Sequence, residues 1–291
     1  MSSYQHIKYA TDSYRHVKYD VANKIAHIRL SRPEVRNVQS TIMLEELDHA
    51  IDRAGADRDV RVIVLSGEGK SFSAGHDLGT QEEREHVEKF PIEEGARGIF
   101  ERSYRLYVDM HLRWRNVPKP MICAVHGHCI FGGWMVASTA DIIFAADDAL
   151  FLGSMFQYFS IPYDIPPRRA KEILFQGRFI DGQQAKELGL VNRVIPKERL
   201  LEETMAYAAD VAQNDPFDMR TTKLAINQAL DAQGFTGYIQ SVHSTHIARR
   251  ISWADPGFAL PKPQDSGVKR LPMVQVALER YERERDRDRK S

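Results

Sequence analysis

Residues Val125 to Ala145 read V-H-G-H-C-I-F-G-G-W-M-V-A-S-T-A-D-I-I-F-A. They close an apolar run, Met121–Val125, that predicts a buried strand, then turn through Gly127 and an apolar loop to the pair Gly132–Gly133. A helical pattern from Trp134 to Ala140 comes next, followed by a second apolar strand, Asp141–Ala146. A glycine pair opening a helix leaves backbone N–H groups uncovered at the positive end of the helix dipole. Such a corner suits a phosphate or an oxyanion, and equally serves close packing. Spacing alone does not separate the two.

A second stretch narrows the choice. Val60–Gly67 (V-R-V-I-V-L-S-G) alternates and then saturates with β-branched residues, which predicts a strand. It runs into E-G-K-S-F-S-A-G-H-D-L, Glu68 to Leu78, a small-residue turn expected to open into a polar helix. Two strand–turn–helix corners could converge on one carbonyl oxygen, and an oxyanion hole needs two such donors about 3 Å from the charged oxygen.

Ser71–Leu78 (S-F-S-A-G-H-D-L) and Ala124–Asp141 resemble the two signature segments of the crotonase, or enoyl-CoA hydratase/isomerase, superfamily. Ser31–Asn37 (S-R-P-E-V-R-N) and Ala185–Pro196 (A-K-E-L-G-L-V-N-R-V-I-P) fit the same pattern in the same order, so the resemblance covers roughly residues 14 to 205. It implies an α/β fold, the ClpP/crotonase spiral of β-β-α units with a helical C-terminal region. It also implies an acyl-CoA substrate whose thioester oxygen is held by two backbone N–H groups. Carried onto this chain, those donors are His76 and Gly132. Implied contacts with the CoA ester are Arg36, Ser73, Ala74, Met135, Met155 and Tyr158. The Pro-containing loop at Ser31–Asn37 would lie over the adenine, where the Arg36 guanidinium could pair with phosphate or stack on the ring, or simply be solvated. No cofactor is implied beyond coenzyme A as part of the substrate, and a homotrimer or a hexamer of paired trimers is the expected assembly.

The resemblance also has a gap. The best-known hydratases of the superfamily use two glutamates, and alignment through Gly132 and Phe151 sets Met135 and Met155 at those positions. Neither side chain moves a proton. The chain is thus expected to belong to a divergent branch lacking both glutamates. Asp164, in the Y-D-I-P-P loop, is the preferred substitute: among Phe156, Tyr158, Phe159, Tyr163 and Ile165 a carboxylate would lose solvation and its pKa would rise. Its alternatives are loop capping or pairing with Arg168 or Arg169. Tyr158 and Tyr163 are candidate acids or core residues. His126 and His128, flanking Gly127, are structural or orient the loop, and Asp77 is expected to complement a helix dipole.

Three functions stay open. One is a lyase or isomerase acting on enoyl-CoA esters, in the manner of fatty acid metabolism. Another is hydrolysis of a CoA ester, or retro-Claisen cleavage of a β-keto or cyclic acyl-CoA. The third is an acyl-CoA-binding pseudoenzyme. The composition fits each of them. Of 291 residues 43% are hydrophobic and 27% charged, with 40 Lys and Arg against 40 Asp and Glu. That balance provides no global field for nucleic acid or an anionic membrane. No apolar run approaches the roughly 20 residues of a membrane span, and the first residues are polar and aromatic rather than laid out as the charged-then-apolar pattern of a signal. The two cysteines, Cys123 and Cys129, match no metal spacing and are expected to be buried thiols, as in a cytoplasmic protein. No metal site is expected.

Along the chain, residues 1–12 are expected to be an extension, 13–205 the spiral core, 206–280 a helical trimerisation region and 281–291 a charged tail. S-Y-Q-H-I-K-Y at Ser3–Tyr9 echoes S-Y-R-H-V-K-Y at Ser13–Tyr19. Strands are expected at Val17–Val21, Ile25–Leu30, Ala149–Leu152 and Leu190–Val194. Helices are expected at Thr41–Ala54, Ile99–Val117, Arg168–Gln176, Asp181–Leu188, Leu200–Asn214, Asp215–Ala232 and Tyr238–Ile251. Gln81–Glu101, with solvated Glu82, Glu83 and Glu85, reads as a mobile wall, Gly153–Pro167 as a loop without helix, and Ala254–Leu271 as irregular.

Overall fold

The computed structural model describes residues 14–91, 95–252 and 272–288. The echo at Ser3–Tyr9, the extension at 1–12 and the stretch Ala254–Leu271 lie outside them.

β1 (Val17–Ala22) and β2 (Ile25–Leu30) form an antiparallel hairpin, and from there the chain spirals. β3 (Val62–Gly67), β4 (Met121–Val125), β6 (Ile142–Ala146) and β9 (Arg193–Ile195) each add in parallel, giving the order β1-β2-β3-β4-β6-β9. β5 (His128–Ile130), β7 (Leu150–Leu152) and β8 (Ile180–Asp181) make a second, smaller sheet. This is the crotonase spiral.

The apolar saturation of β3 and β4 has a direct cause. A parallel strand is covered on both faces, so both sets of alternating side chains must be apolar. Ile63, Leu65, Met121, Cys123 and Val125 enter the main core with α1 (Thr41–Ala56), whose first turn is capped by the Ser40 hydroxyl accepting from Met43 N–H. Val62, Val64 and Ile122 face the other way. There they meet Ala208 and Ala212 at the end of the helix Leu200–Val211, which crosses the back of the sheet.

The segment after Thr80 departs from expectation. Glu68–Leu78 is not helical; the helix α2 begins at Gln81 and runs to Lys89, with Thr80 as its cap. The expected mobile wall contains α2 and α3 (Gly95–Ser103). Glu83 is buried there rather than solvated. It accepts from the Thr41 backbone and hydroxyl and from Arg102 at 2.8 Å, tying α2 to the start of α1. A carboxylate with a cation and two donors at hand gains more from them than from water. α3 passes through a π-helical segment, Tyr104–Asp109, into α4 (Met110–Arg115), so the expected long helix exists with a widened middle. π segments of this kind recur at functional sites.

α5 (Gly132–Ala137) follows the glycine corner. The loop Gly153–Pro167 holds a short helix, α6 (Ile161–Asp164), because Pro162 falls in its first turn, where a missing N–H is harmless. α7 (Pro167–Gln176), α8 (Gly182–Glu187), α9 (Leu200–Val211), α10 (Pro216–Ala232) and α11 (Phe235–Ser252) complete the C-terminal half. α12 (Pro272–Asp288) takes in most of the expected tail. Ala277 and Tyr281 are buried against Ile130, Leu152 and Phe179, so α12 docks on the small sheet through these residues, while 282–287 stay exposed or half-buried. Among the described residues no helix is long and apolar enough to cross a membrane.

Candidate active site

The two glycine corners meet. Ser73 and Cys129 pair as a parallel bridge, with Ser73 N–H donating to His128 and Ile130 N–H returning to Ser73. Gly75, at φ +93°, then passes so close to the second corner that a Cβ on it would lie 2.8 Å from the Ile130 carbonyl oxygen and 3.4 Å from the Gly132 nitrogen. A Cβ on Gly133 would lie 2.7 Å from the Ser73 carbonyl oxygen. Both glycines are therefore required by contact, and Gly75 by conformation as well. Phe131, which caps α5, holds φ +46° and ψ −102°, a sparsely populated region for a residue with a Cβ. Such geometry costs about 1–3 kcal/mol and gathers at functional sites.

The Ser31–Asn37 loop is stitched to this corner. Asn37 is wholly buried; its amide donates to the Glu68, Ser71 and Phe72 carbonyls. Ser73 donates its hydroxyl to the Asn37 carbonyl, and Ala74 N–H donates to the Arg36 carbonyl at 2.9 Å. The Arg36 side chain is exposed at the lip. Arg32 is buried and pairs with Asp77 at 2.9 Å. Burial would raise the Asp77 carboxyl, but donors from Thr80, Arg32 and Gly79 outweigh it and hold it below the usual range. Asp77 thus fastens the turn before α2, three residues ahead of the cap Thr80.

His76 is the centre of the arrangement. It pairs in parallel with Gln39: Gln39 N–H donates to Gly75 and Asp77 N–H to Gln39. The His76 ring lies 4.2 Å from the Tyr107 ring, in the π-helical segment, and its Nε2 is 3.3 Å from Gln157 Oε1. A methyl on Gly132 would sit 2.4 Å from Gln39 Oε1 and 2.6 Å from His76 Nδ1. Both side chains therefore close over Gly132. Burial takes the His76 pKa down to about 4, against the Gln157 bond and with help from His246, Arg250 and Arg102. The backbone N–H groups of His76 and Gly132 donate to no acceptor among the described residues. Gln39, Gln157 and the buried His111 behind them carry no spacing or motif that would mark them in the sequence.

Asp164 is not brought to this corner. Its Oδ2 accepts from Ser138 at 2.9 Å and Ser160 at 2.6 Å. Ser138 ends the helix that Gly132 begins, six residues and roughly 9 Å of helix axis away. Burial raises the Asp164 carboxyl, against the pull of the two hydroxyls, as loss of solvation predicts. Met135 is wholly buried. Met155 offers its carbonyl to His246 and Arg249. Tyr158 is wholly buried, its ring beside His111 and Phe235, which places it in the core rather than at the lip with Arg36. His126 donates to the Gly69 carbonyl, and the His128 ring faces Phe179 edge-on at 6.0 Å. Beyond Phe131 and Met155 opens a cavity of about 650 Å³, also walled by Phe159, Leu174, Phe175 and Tyr238.

Residues 20–246 match the family model described as Enoyl-CoA hydratase/isomerase. A Mycobacterium tuberculosis protein named for enoyl-CoA hydratase is 31% identical over 263 residues, covering 83% of each chain. The crystal structure of a probable enoyl-CoA hydratase from Mycobacterium thermoresistibile superposes with a TM-score of 0.75 at 43% identity, covering 81% of this chain and 97% of that one. An enoyl-CoA hydratase/isomerase from Xanthobacter autotrophicus Py2 gives 0.73 at 31% identity, covering 81% and 87%. The chain belongs to the enoyl-CoA hydratase/isomerase family of the crotonase superfamily.

Proposed function

We propose that this chain adds water across the double bond of a 2-enoyl-CoA thioester, with the His76 and Gly132 N–H groups holding the thioester oxygen as it becomes an enolate. One observation carries the reading: a Cβ on Gly75 would lie 3.4 Å from the Gly132 nitrogen, so the N–H groups of His76 and Gly132, without acceptors among the described residues, belong to one corner. Preorganised donors of this kind stabilise developing charge by about 3–4 kcal/mol each. The acyl group is proposed to enter the cavity beyond Phe131, whose apolar lining suits a hydrocarbon tail. Arg36, exposed at the lip, is the proposed contact for the nucleotide end. A homotrimer, or a pair of trimers, is the proposed assembly; the apolar side chains of Phe217, Leu224 and Ile226 exposed on α10 support it.

Mass spectrometry after incubation with enoyl-, β-hydroxy- and β-keto-acyl-CoAs tests this. Gain of one water by an enoyl-CoA is the expected result, abolished in Gly132→Pro with the fold retained. Release of free CoA thiol would move the assignment to thioester hydrolysis. Binding without conversion of any ester would leave an acyl-CoA-binding protein.

A further inference from the structure

The hydration reading leaves open which group moves the proton, since Met135 and Met155 have none to move and Asp164 is held at the far end of α5. Two buried polar side chains at the corner carry atoms without hydrogen-bond partners. Neither atom of the Gln39 amide has a hydrogen bond, although Gln39 is 2% exposed, and His76 Nδ1 has none either. Leaving such a group buried and unmet costs about 1–3 kcal/mol. Both sit over the same glycine. One unmet group can be a local accident of packing; two beside one glycine are the polar atoms that a small ligand admitted to this corner would meet.

The tautomer follows from the other side of the ring. In the assigned orientation Gln157 turns Oε1, which only accepts, toward the ring, and that assignment puts the proton on Nε2 and the lone pair on Nδ1. We propose that the His76 imidazole, through Nδ1, is the acid–base group of this enzyme, with the Gln39 amide as second anchor of the attacking water. This rests on the hydration reading above. In the forward step a water O–H bond breaks and its proton passes to Nδ1. The water oxygen bonds to C3, and the C2=C3 pair moves into the thioester as an enolate. The imidazolium then returns the proton to C2, the enolate pair forms the C–H bond, and the ring is neutral again. Net, one water is added and nothing else is consumed.

Burial keeps the ring neutral, and hence basic in form, at pH 7. The enolate's negative charge arises beside the ring and raises its proton affinity during the step. The charged and titratable groups around His76 come from three sides: Arg102 on α3, Tyr107 and His111 behind the ring, and His246 and Arg250 on α11. The cations and histidines among them oppose protonation. The carboxylates of Asp77, next in the chain, and Glu83 on α2 are paired with Arg32 and Arg102, so a carboxylate placed against Nε2 has a defined effect.

Substitution at His76 leaves its backbone N–H in place, which separates the side chain from the proposed oxyanion donor. His76→Gln should lose at least about 100-fold in kcat on an enoyl-CoA that the wild type hydrates, with KM changed only a few-fold. His76→Ala should recover part of that loss when imidazole is added to the buffer. Gln157→Glu places a carboxylate against Nε2 and should move the acid limb of kcat/KM up by about a pH unit or more, a shift that a merely structural histidine would not give. The proposal is overturned if H76Q keeps activity within about threefold of wild type, or if the acid limb stays fixed in Gln157→Glu. Should H76Q fail to fold, the Gln157→Glu profile alone decides. A wild-type protein that converts no enoyl-CoA overturns the hydration reading itself, a result distinct from an active enzyme indifferent to His76.

Discussion

Gly75 and Gly132, 57 positions apart in the chain, lie so near each other that a Cβ on the first would come 3.4 Å from the amide nitrogen of the second. Everything proposed for the corner depends on that approach. Gly75→Ala meets two obstacles, the positive φ and the Ile130 carbonyl at 2.8 Å. It is expected to destabilise the protein by about 1–3 kcal/mol and to lower kcat/KM on an enoyl-CoA by about 10²–10³ as the loops part. Denaturant titration and initial rates on the same preparation check both numbers. Wild-type rates in Gly75→Ala would refute the need for close approach.

Buried neutral histidines should make the fold acid-sensitive. Burial lowers His27 to about 4, although Asp20 and Glu68 oppose it, His243 to about 4 and His111 to about 3. Each folded value lies below the unfolded value of about 6.5, so the unfolded chain binds more protons between the two. Stability from these groups is complete above about pH 6.5 and is lost as pH falls toward 4. Each adds at most about 1.4 kcal/mol per pH unit to the slope within that window. Thermal melts from pH 7.5 to 4.5 should show Tm falling below pH 6.5. In His27→Gln, which keeps a donor toward Ser66, the fall should be shallower.

Asp164 gives a prediction of opposite sign. Its folded pKa is raised by burial, so its contribution favours folding below the unfolded carboxyl value and is lost as pH rises through the folded one. Asp164→Asn still accepts from Ser138 and Ser160 but carries no charge. The variant should equal or exceed wild-type stability at pH 7, with the difference shrinking near pH 4. Its turnover should fall less than about tenfold, since proton transfer by a positioned group is worth about 10²–10⁴. A loss in that larger range would return the acid–base role to Asp164.

Local patterning carried the elements well. The apolar runs at Met121–Val125 and Val60–Gly67 and the helix opening after Gly132–Gly133 predict what forms there, because strand and turn preferences act over a few residues. Missed local features have local causes. The short helix Ile161–Asp164 escaped because proline in a first turn reads as a breaker until its position is known. Glu83 looked solvated because its partners, Thr41 and Arg102, lie 42 and 19 residues away.

The sequence by itself determined the family, the spiral of strands and helices and the two glycine corners, since each rests on contiguous residues whose chemistry needs no distant partner. Tertiary structure alone decided which side chains face the corner. Gln39 reaches His76 only because the parallel bridge sets their register, and Gln157 comes to the ring from 81 positions away. Asp164 turns to Ser138 because the α6 turn delivers it to the end of α5 opposite Gly132. Spacing along a chain says nothing about such encounters. They are fixed by how the sheets and helices stack, and by the lower free energy of a buried polar group that finds a partner.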